Sequence, residues 1–145
     1  MSEPSVIRIE SDQDILATSN VMRQLRPHIK AEAYLSVVRR MMGSDSYRQA
    51  AVRESGVVRA VAGYRFMEML YCGKILYVDD LVTDENTRSH GHGRTLLDWL
   101  VSEARENGCA ELHLDSGVQR EYAHRFYFRE GLTINAYHFR KRIPK

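Results

Sequence analysis

From Arg88 to Gly93 the chain reads Arg88-Ser89-His90-Gly91-His92-Gly93, a basic, glycine-bearing turn. Before it, Ile75 to Thr83 is apolar and β-branched, the composition of a strand. After it, Leu96, Leu97, Leu100, Val101 and Ala104 fall on one helical stripe, with Asp98, Ser102, Glu103 and Arg105 opposite. A strand-to-helix turn of this kind aims several free backbone N–H groups, at the positive end of the helix dipole, toward one place. Glycine there lets an anion approach the backbone and takes positive φ at little cost. The chemistry is phosphate binding.

Two familiar phosphate motifs do not fit. A Walker loop ends in Gly-Lys-Ser/Thr, but Gly93 is followed by Arg94-Thr95, and no earlier glycine has the right spacing. A dinucleotide fingerprint needs Gly or Ala where Leu96 stands. His90 and His92 lie two apart with no third ligand at a convincing spacing, so no metal is expected. Asp79 and Asp80 are adjacent acids inside the apolar run of Ile75, Leu76, Val78, Leu81 and Val82. Strand alternation places them on opposite faces unless a bulge intervenes. They are either structural acids held by backbone N–H groups or an arginine, or one of them faces a cleft and accepts a proton.

The elements that position these residues can be read in order. Val6–Ile9 is a short strand. Ser11 with Asp14 three residues on suggests a helix start, and Arg26-Pro27 ends that helix. Ala31, Tyr34, Leu35, Val38 and Met42 mark a second helix that stops at Gly43. Tyr47–Glu54 and Val57–Leu70 are strands joined at Ser55-Gly56, the second interrupted at Gly63. Beyond the glycine turn, Asn107-Gly108 ends the third helix. Ala110–Asp115 alternates as a strand, Gln119–Glu130 is a fourth helix stopped by Gly131, and Thr133–Arg140 is expected as a last strand.

Arg-x-x-Gly-x-Gly after a strand resembles the acetyl-coenzyme A pyrophosphate loop of the GNAT N-acetyltransferase superfamily. Ala123-His124-Arg125-Phe126-Tyr127-Phe128-Arg129-Glu130-Gly131-Leu132 is similar to that family's Ala-x-x-Phe-Tyr-x-x-x-Gly-Phe segment. The resemblance covers nearly the whole chain and is strongest from Ile75 to Leu132. It implies an α/β GNAT fold: a mixed central sheet of six to seven strands flanked by about four helices, in a single domain over residues 1–145. It implies acetyl-coenzyme A as acetyl donor, no metal, and direct transfer to a primary amine in a ternary complex.

By the same resemblance Tyr127 is the general acid, and Asp79 falls where several relatives carry a base, with Asp80 beside it. Leu81, Val82 and Thr83 would offer backbone groups to the pantetheine arm. Arg88, Ser89, His90, Gly91, His92, Gly93, Arg94 and Thr95 would form the cradle, and Ser116 would contact cofactor or water. Two positions depart from the pattern: Ser89 replaces a usual Gly, and Glu85 a usual Pro. Neither removes a backbone N–H. Adjacent acids also occur in polyamine acetyltransferases, a hint of a cationic acceptor. Transfer needs a neutral amine, and a lysine-like amine is only about 0.1% neutral near physiological pH, so a proton acceptor helps. Without the family match, Tyr127 would read as a core residue beside Phe126.

Composition narrows the remaining classes. With 145 residues, 21 basic and 19 acidic side chains, the chain is domain-sized with no global field for nucleic acid. Cys72 and Cys109 are far apart and suggest a reduced compartment. The N-terminal Met-Ser-Glu-Pro-Ser has no apolar signal core and no run reaches membrane-spanning length, so the expectation is a cytoplasmic protein without membrane partners. The acceptor would be a small-molecule, peptide or protein amine, and a homodimer is compatible with the family. Two alternatives are a non-catalytic acyl-coenzyme A-binding regulatory module and a nucleic-acid binder using Arg140, Lys141, Arg142 and Lys145. The second lacks an aromatic platform beyond Tyr137 and Phe139.

Overall fold

Local signals set most element ends. In the computed structural model, which describes residues 3–145, Ser11 Oγ accepts from the Asp14 N–H at 3.1 Å and opens helix α1 (Asp12–Leu25). Met1 and Ser2, the first residues of the expected signal-free N-terminus, lie outside the described residues. Strand β1 (Ser5–Ile9) precedes α1, and α2 (Ala31–Ser44) runs one residue past Gly43. Strands β2 (Arg48–Glu54) and β3 (Val57–Met69) meet at Ser55 and Gly56, both at positive φ (51° and 78°). That pair of left-handed residues matches the twist of a two-residue hairpin. Then come β4 (Gly73–Thr83), a 3₁₀ turn (Glu85–Thr87), α3 (His92–Glu106) and β5 (Glu111–Leu114).

The described chain divides into two compact units at Leu114/Asp115. The first holds one five-stranded sheet in the order β1-β2-β3-β4-β5, antiparallel except for the parallel β4–β5 pair. Ile15, Val21 and Met22 of α1 and Tyr34 and Val38 of α2 pack with Tyr47, Ala51 and Val61 on one face. Each large apolar side chain among them, fully buried, stabilises by about 1.5–3 kcal/mol. On the other face α3 buries Leu96, Leu97 and Leu100, and Tyr64 meets Trp99 edge-on at 6.0 Å. Arg8 forks onto the buried Glu103 at 2.7 and 3.2 Å, joining β1 to α3.

The second unit contains α4 (Glu121–Arg129) followed by chain without helix or strand. The expected strand over Thr133–Arg140 is therefore not formed, and among the described residues five strands are found where six to seven were expected. The β-branched and aromatic residues Ile134, Tyr137 and Phe139 are compatible with a strand, but a strand exists only where a neighbour supplies ladder hydrogen bonds. All three side chains are exposed.

Strand β4 is irregular along both of its edges. The β3 register shifts between Gly63 and Tyr64, so that Gly63 faces Asp80, Tyr64 faces Val78, and Asp79 has no opposite residue. This is a β-bulge. On the other edge, pairing with β5 runs from Ile75↔Glu111 only to Val78↔Leu114, while β4 continues to Thr83. Residues 80–83 are paired on one side only, and Asp79 on neither.

Candidate active site

The bulge decides where the two acids point. Asp79 takes a two-pronged contact from Arg65, Nε to Oδ1 at 3.0 Å and Nη2 to Oδ2 at 2.5 Å. Asp80 accepts from Arg26 Nε at 2.9 Å and from the Tyr47 hydroxyl at 2.8 Å. Arg65 also lies over the Tyr47 ring, 5.6 Å from its centroid, and Arg26 Nη2 donates to the Asp79 carbonyl at 3.0 Å. Both carboxylates thus belong to one ionic network on the face of the sheet that carries α1 and α2. The expectation of opposite faces fails because one extra residue in β4 cancels one step of alternation.

Behind Asp80 the network continues inward. Gln49 Nε2 donates to Tyr47 at 3.3 Å and to Tyr34 at 3.0 Å, and Tyr34 exchanges a 2.7 Å hydrogen bond with Thr18. Burial, and next the nearby Asp80 charge, push the Tyr47 phenol well above its ordinary pKa, so it stays a donor to the carboxylate. Burial raises Tyr34 as well. A cavity of about 280 Å³ opens on this chain of groups, with Arg26, His28, Tyr34, Tyr47, Gln49 and Asp80 among its lining residues and Met22 and Met41 on its apolar side. Gly63 permits the arrangement. A Cβ there would collide with both the Tyr47 hydroxyl and the Asp80 carboxylate.

The glycine turn forms as an anion cradle would. Gly91 is the N-cap of α3 at φ 82° with no side-chain cap, and a Cβ on it would meet open space. The α3 ladder begins where the Thr95 N–H donates to the Gly91 carbonyl at 3.0 Å. The N–H groups of His92, Gly93 and Arg94 therefore precede the helical ladder. The exposed Thr95 Oγ1 donates to the same carbonyl, also at 3.0 Å. Arg88, Ser89, His90 and Arg94 are exposed, and Arg94 approaches Asp98 at 4.0 Å. His92 is buried with Nε2 unpartnered, its ring 5.9 Å from that of His90. Ser89 sits at φ 72°, a left-handed conformation at the position where the resemblance expects glycine.

Leu81, Val82 and Thr83 are half-buried and pair with Ala62, Val61 and Ala60 of β3. Val82 adds its side chain to the α1–α2 core. The approach to the turn is pinned from α1: Gln24 donates to Asp84 at 3.2 Å and accepts from the Glu85 N–H at 2.9 Å. The Gln24 hydrogen bond, then the Asn86 N–H, lowers the Asp84 carboxyl below its ordinary pKa.

In the second unit Tyr127 is a buried residue of α4, its ring 5.5 Å from that of Phe126. Burial raises its pKa, opposed by the charge and hydrogen bond of Arg120. A phenol held above its ordinary range remains protonated and can serve as an acid. Ser116 Oγ is buried without a hydrogen-bond partner.

Comparison with known proteins identifies the family. The family model described as "Acetyltransferase (GNAT) family" matches residues 17–131. The chain belongs to the GNAT acetyltransferase family. Membership makes it an acyltransferase with acetyl-coenzyme A as donor. Among relatives of this GNAT protein, the uncharacterized N-acetyltransferase YhdJ of Bacillus subtilis is 34% identical over 94% of the chain and 96% of its own length. The aminoalkylphosphonate N-acetyltransferase of Salmonella typhimurium is 27% identical over 71% of the chain and 67% of its own length. In fold, the aminoglycoside N-acetyltransferase AAC(6')-Iy in complex with CoA superposes with a TM-score of 0.82, at 15% identity over 99% of the chain and 97% of its own.

The glycine turn, the two acids and Tyr127 were singled out in the sequence, whereas the partners of the acids were not. Arg26 follows α1, Tyr47 immediately precedes β2, Gln49 lies within β2, and Arg65 belongs to β3. Nothing in the local sequence marks any of them. Gly63 was the one available signal, since a lone glycine inside a strand pattern suggests a bulge or close approach.

Proposed function

We propose that this GNAT protein transfers an acetyl group from acetyl-coenzyme A to the primary amine of a small molecule, directly, in a ternary complex. The observation that carries this reading is the unpaired edge of β4. Where β5 stops at Leu114, the backbone of Leu81, Val82 and Thr83 is left to hold an extended ligand, in line with the uncapped N-terminus of α3. The cradle N–H groups of His92, Gly93 and Arg94 would take the pyrophosphate, with Arg88, Ser89, His90, Arg94 and Thr95 around it. The buried, unpartnered Ser116 Oγ fits a contact to donor or water. The family match spans both units, which supports a single domain over residues 1–145.

Acceptor size follows from the cavity beside Asp80, about 280 Å³, which suits a small amine better than a folded protein. The relatives that act on an aminoalkylphosphonate and an aminoglycoside are consistent with amine-bearing small molecules. Of the two acids, Asp80 lines that cavity, so it is the first candidate to receive the ammonium proton, with Asp79 holding Arg65 beside it. The amine nitrogen then bonds to the thioester carbonyl carbon, the carbon–sulfur bond breaks, and Tyr127 gives its proton to the departing sulfur. The second nitrogen proton, shed as the amide forms, passes to solvent, from which the phenol is restored. General-acid help of this kind is typically worth about 10²–10⁴ in rate.

An amine panel assayed with acetyl-coenzyme A, reading free thiol, tests the proposal. Polyamines, aminophosphonates, aminosugars and a lysine peptide form the panel. Acetylation of at least one small amine, above the peptide, is expected. Donor binding by calorimetry with no thiol release from any amine would overturn it in favour of a binding module.

A further inference from the structure

At the opposite end of β4 from the cradle, three metal-ligating side chains converge. Cys72 lies in the turn that enters β4, and Glu111 and His113 lie two apart on the edge strand β5, hence on one face. The parallel register sets Ile75 beside Glu111 and Tyr77 beside His113, which brings the start of β5 next to the Cys72 turn. Cys72 Sγ, a Glu111 oxygen and a His113 nitrogen all lie within 4.8 Å of one another. His113 Nε2 is already 2.8 Å from Glu111 Oε1, and the Tyr71 ring stands 6.3 Å from the imidazole.

We propose that Cys72, Glu111 and His113 form a binding site for a borderline divalent cation of the zinc class, separate from the acetyl-transfer site. Thiolate, imidazole and carboxylate select zinc-like ions over magnesium or calcium, which prefer all-oxygen shells. Tetrahedral bonds of about 2.0–2.3 Å put ligand atoms roughly 3.3–3.7 Å apart, so the three side chains need to close by about 1 Å. Room for that exists: Glu111 is exposed, and Cys72 and His113 are half-buried. On binding, the Cys72 thiol gives its proton to solvent and the His113–Glu111 hydrogen bond is exchanged for two metal bonds. The fourth position faces water. By register the cluster lies between the Cys72 turn and Tyr77, three residues or roughly 10 Å of β4 short of Asp80, and none of its three side chains lines the cavity beside Asp80. What it would do is fasten the β3–β4 turn to a four-residue edge strand.

The test uses the full chain, stripped with chelator and kept reduced without added thiol, titrated with Co²⁺. A thiolate-to-cobalt absorption band that saturates at one equivalent and disappears on adding Zn²⁺ is expected, with a rise in melting temperature. Cys72→Ser should lose the band, His113→Ala should weaken uptake, and Cys109→Ser should keep the band. No thiolate band in the folded parent overturns the site. So does a band that survives Cys72→Ser or vanishes in Cys109→Ser.

Discussion

A phenol and a carboxylate carry the proposed proton traffic, and each responds differently to a single-atom change. Tyr127→Phe keeps the buried ring and its contact with Phe126 while removing the hydroxyl. The expected result is a fall in kcat of about 10²-fold with the KM for acetyl-coenzyme A unchanged. Because burial holds the Tyr127 pKa above its ordinary value of 10.0, no loss of activity from its ionisation should appear below about pH 10. Turnover equal to the parent's would reduce Tyr127 to a packing residue. For the acids, Asp80→Asn should depress turnover most at low pH, with partial recovery at high pH where free amine is plentiful. Asp79→Asn should leave the pH profile alone and loosen Arg65, destabilising by about 1–3 kcal/mol. A pH–rate profile and a denaturant melt on each variant check both, and exchanged phenotypes would return the base role to Asp79.

At the scale of elements, the legible features were those with a local cause. The Ser11 cap, the Ser55-Gly56 hairpin and the glycine start of α3 each rest on residues within a few positions of one another, and each formed. The α3 stripe formed at Leu96, Leu97, Leu100 and Ala104, while Val101 is exposed and Glu103, expected opposite, is buried by its long-range contact with Arg8. The last strand failed because its cause is not local: Thr133–Arg140 has the pattern but no ladder among the described residues. The facing of the acids failed for a related reason, since a bulge belongs to a pair of strands and β4 alone does not reveal it. Gly63 was its sequence trace. Gly63→Ala should therefore separate Tyr47 from Asp80 and destabilise by about 1–3 kcal/mol through overpacking. Measured in a Tyr47→Phe background, which has already lost the hydroxyl, the same change should cost less. Equal costs in the two backgrounds would mean that the hydroxyl is not what the methyl meets.

For the whole molecule, the buried tyrosines Tyr34, Tyr47 and Tyr64 set the alkaline limit. Tyr64 is pushed up to about 12, chiefly by burial and next by the Glu103 charge, and burial likewise raises Tyr34 and Tyr47. In the unfolded chain all three titrate near 10. The unfolded state therefore loses protons first: the contribution of Tyr64 is fully present below about pH 10 and is lost as pH rises toward about 12. Denaturant midpoints should fall steadily across that interval, and Tyr64→Phe should fall less steeply. An unchanged slope in that variant would place the alkaline sensitivity elsewhere. This coupling was invisible in the sequence, where Tyr64 is one aromatic among thirteen, because burial against α3 arises only when residues 39 apart meet.

The bulge and the end of β5 fall at the same point of β4. At Asp79 the central strand is outside the β3 register, and pairing on the β5 side has already ended one residue earlier. Ile75 to Val78 is thus clamped between two ladders, whereas Leu81 to Thr83 hangs from one. A sheet is ordinarily stiffest where strands are flanked on both sides; here such a strand contains a joint. Beyond that joint the segment keeps its β3 ladder and sends Val82 into the α1–α2 core. One edge of the strand is open while its other edge and one face are fixed, so a long ligand lying along the open edge, as proposed, would meet a firm backbone.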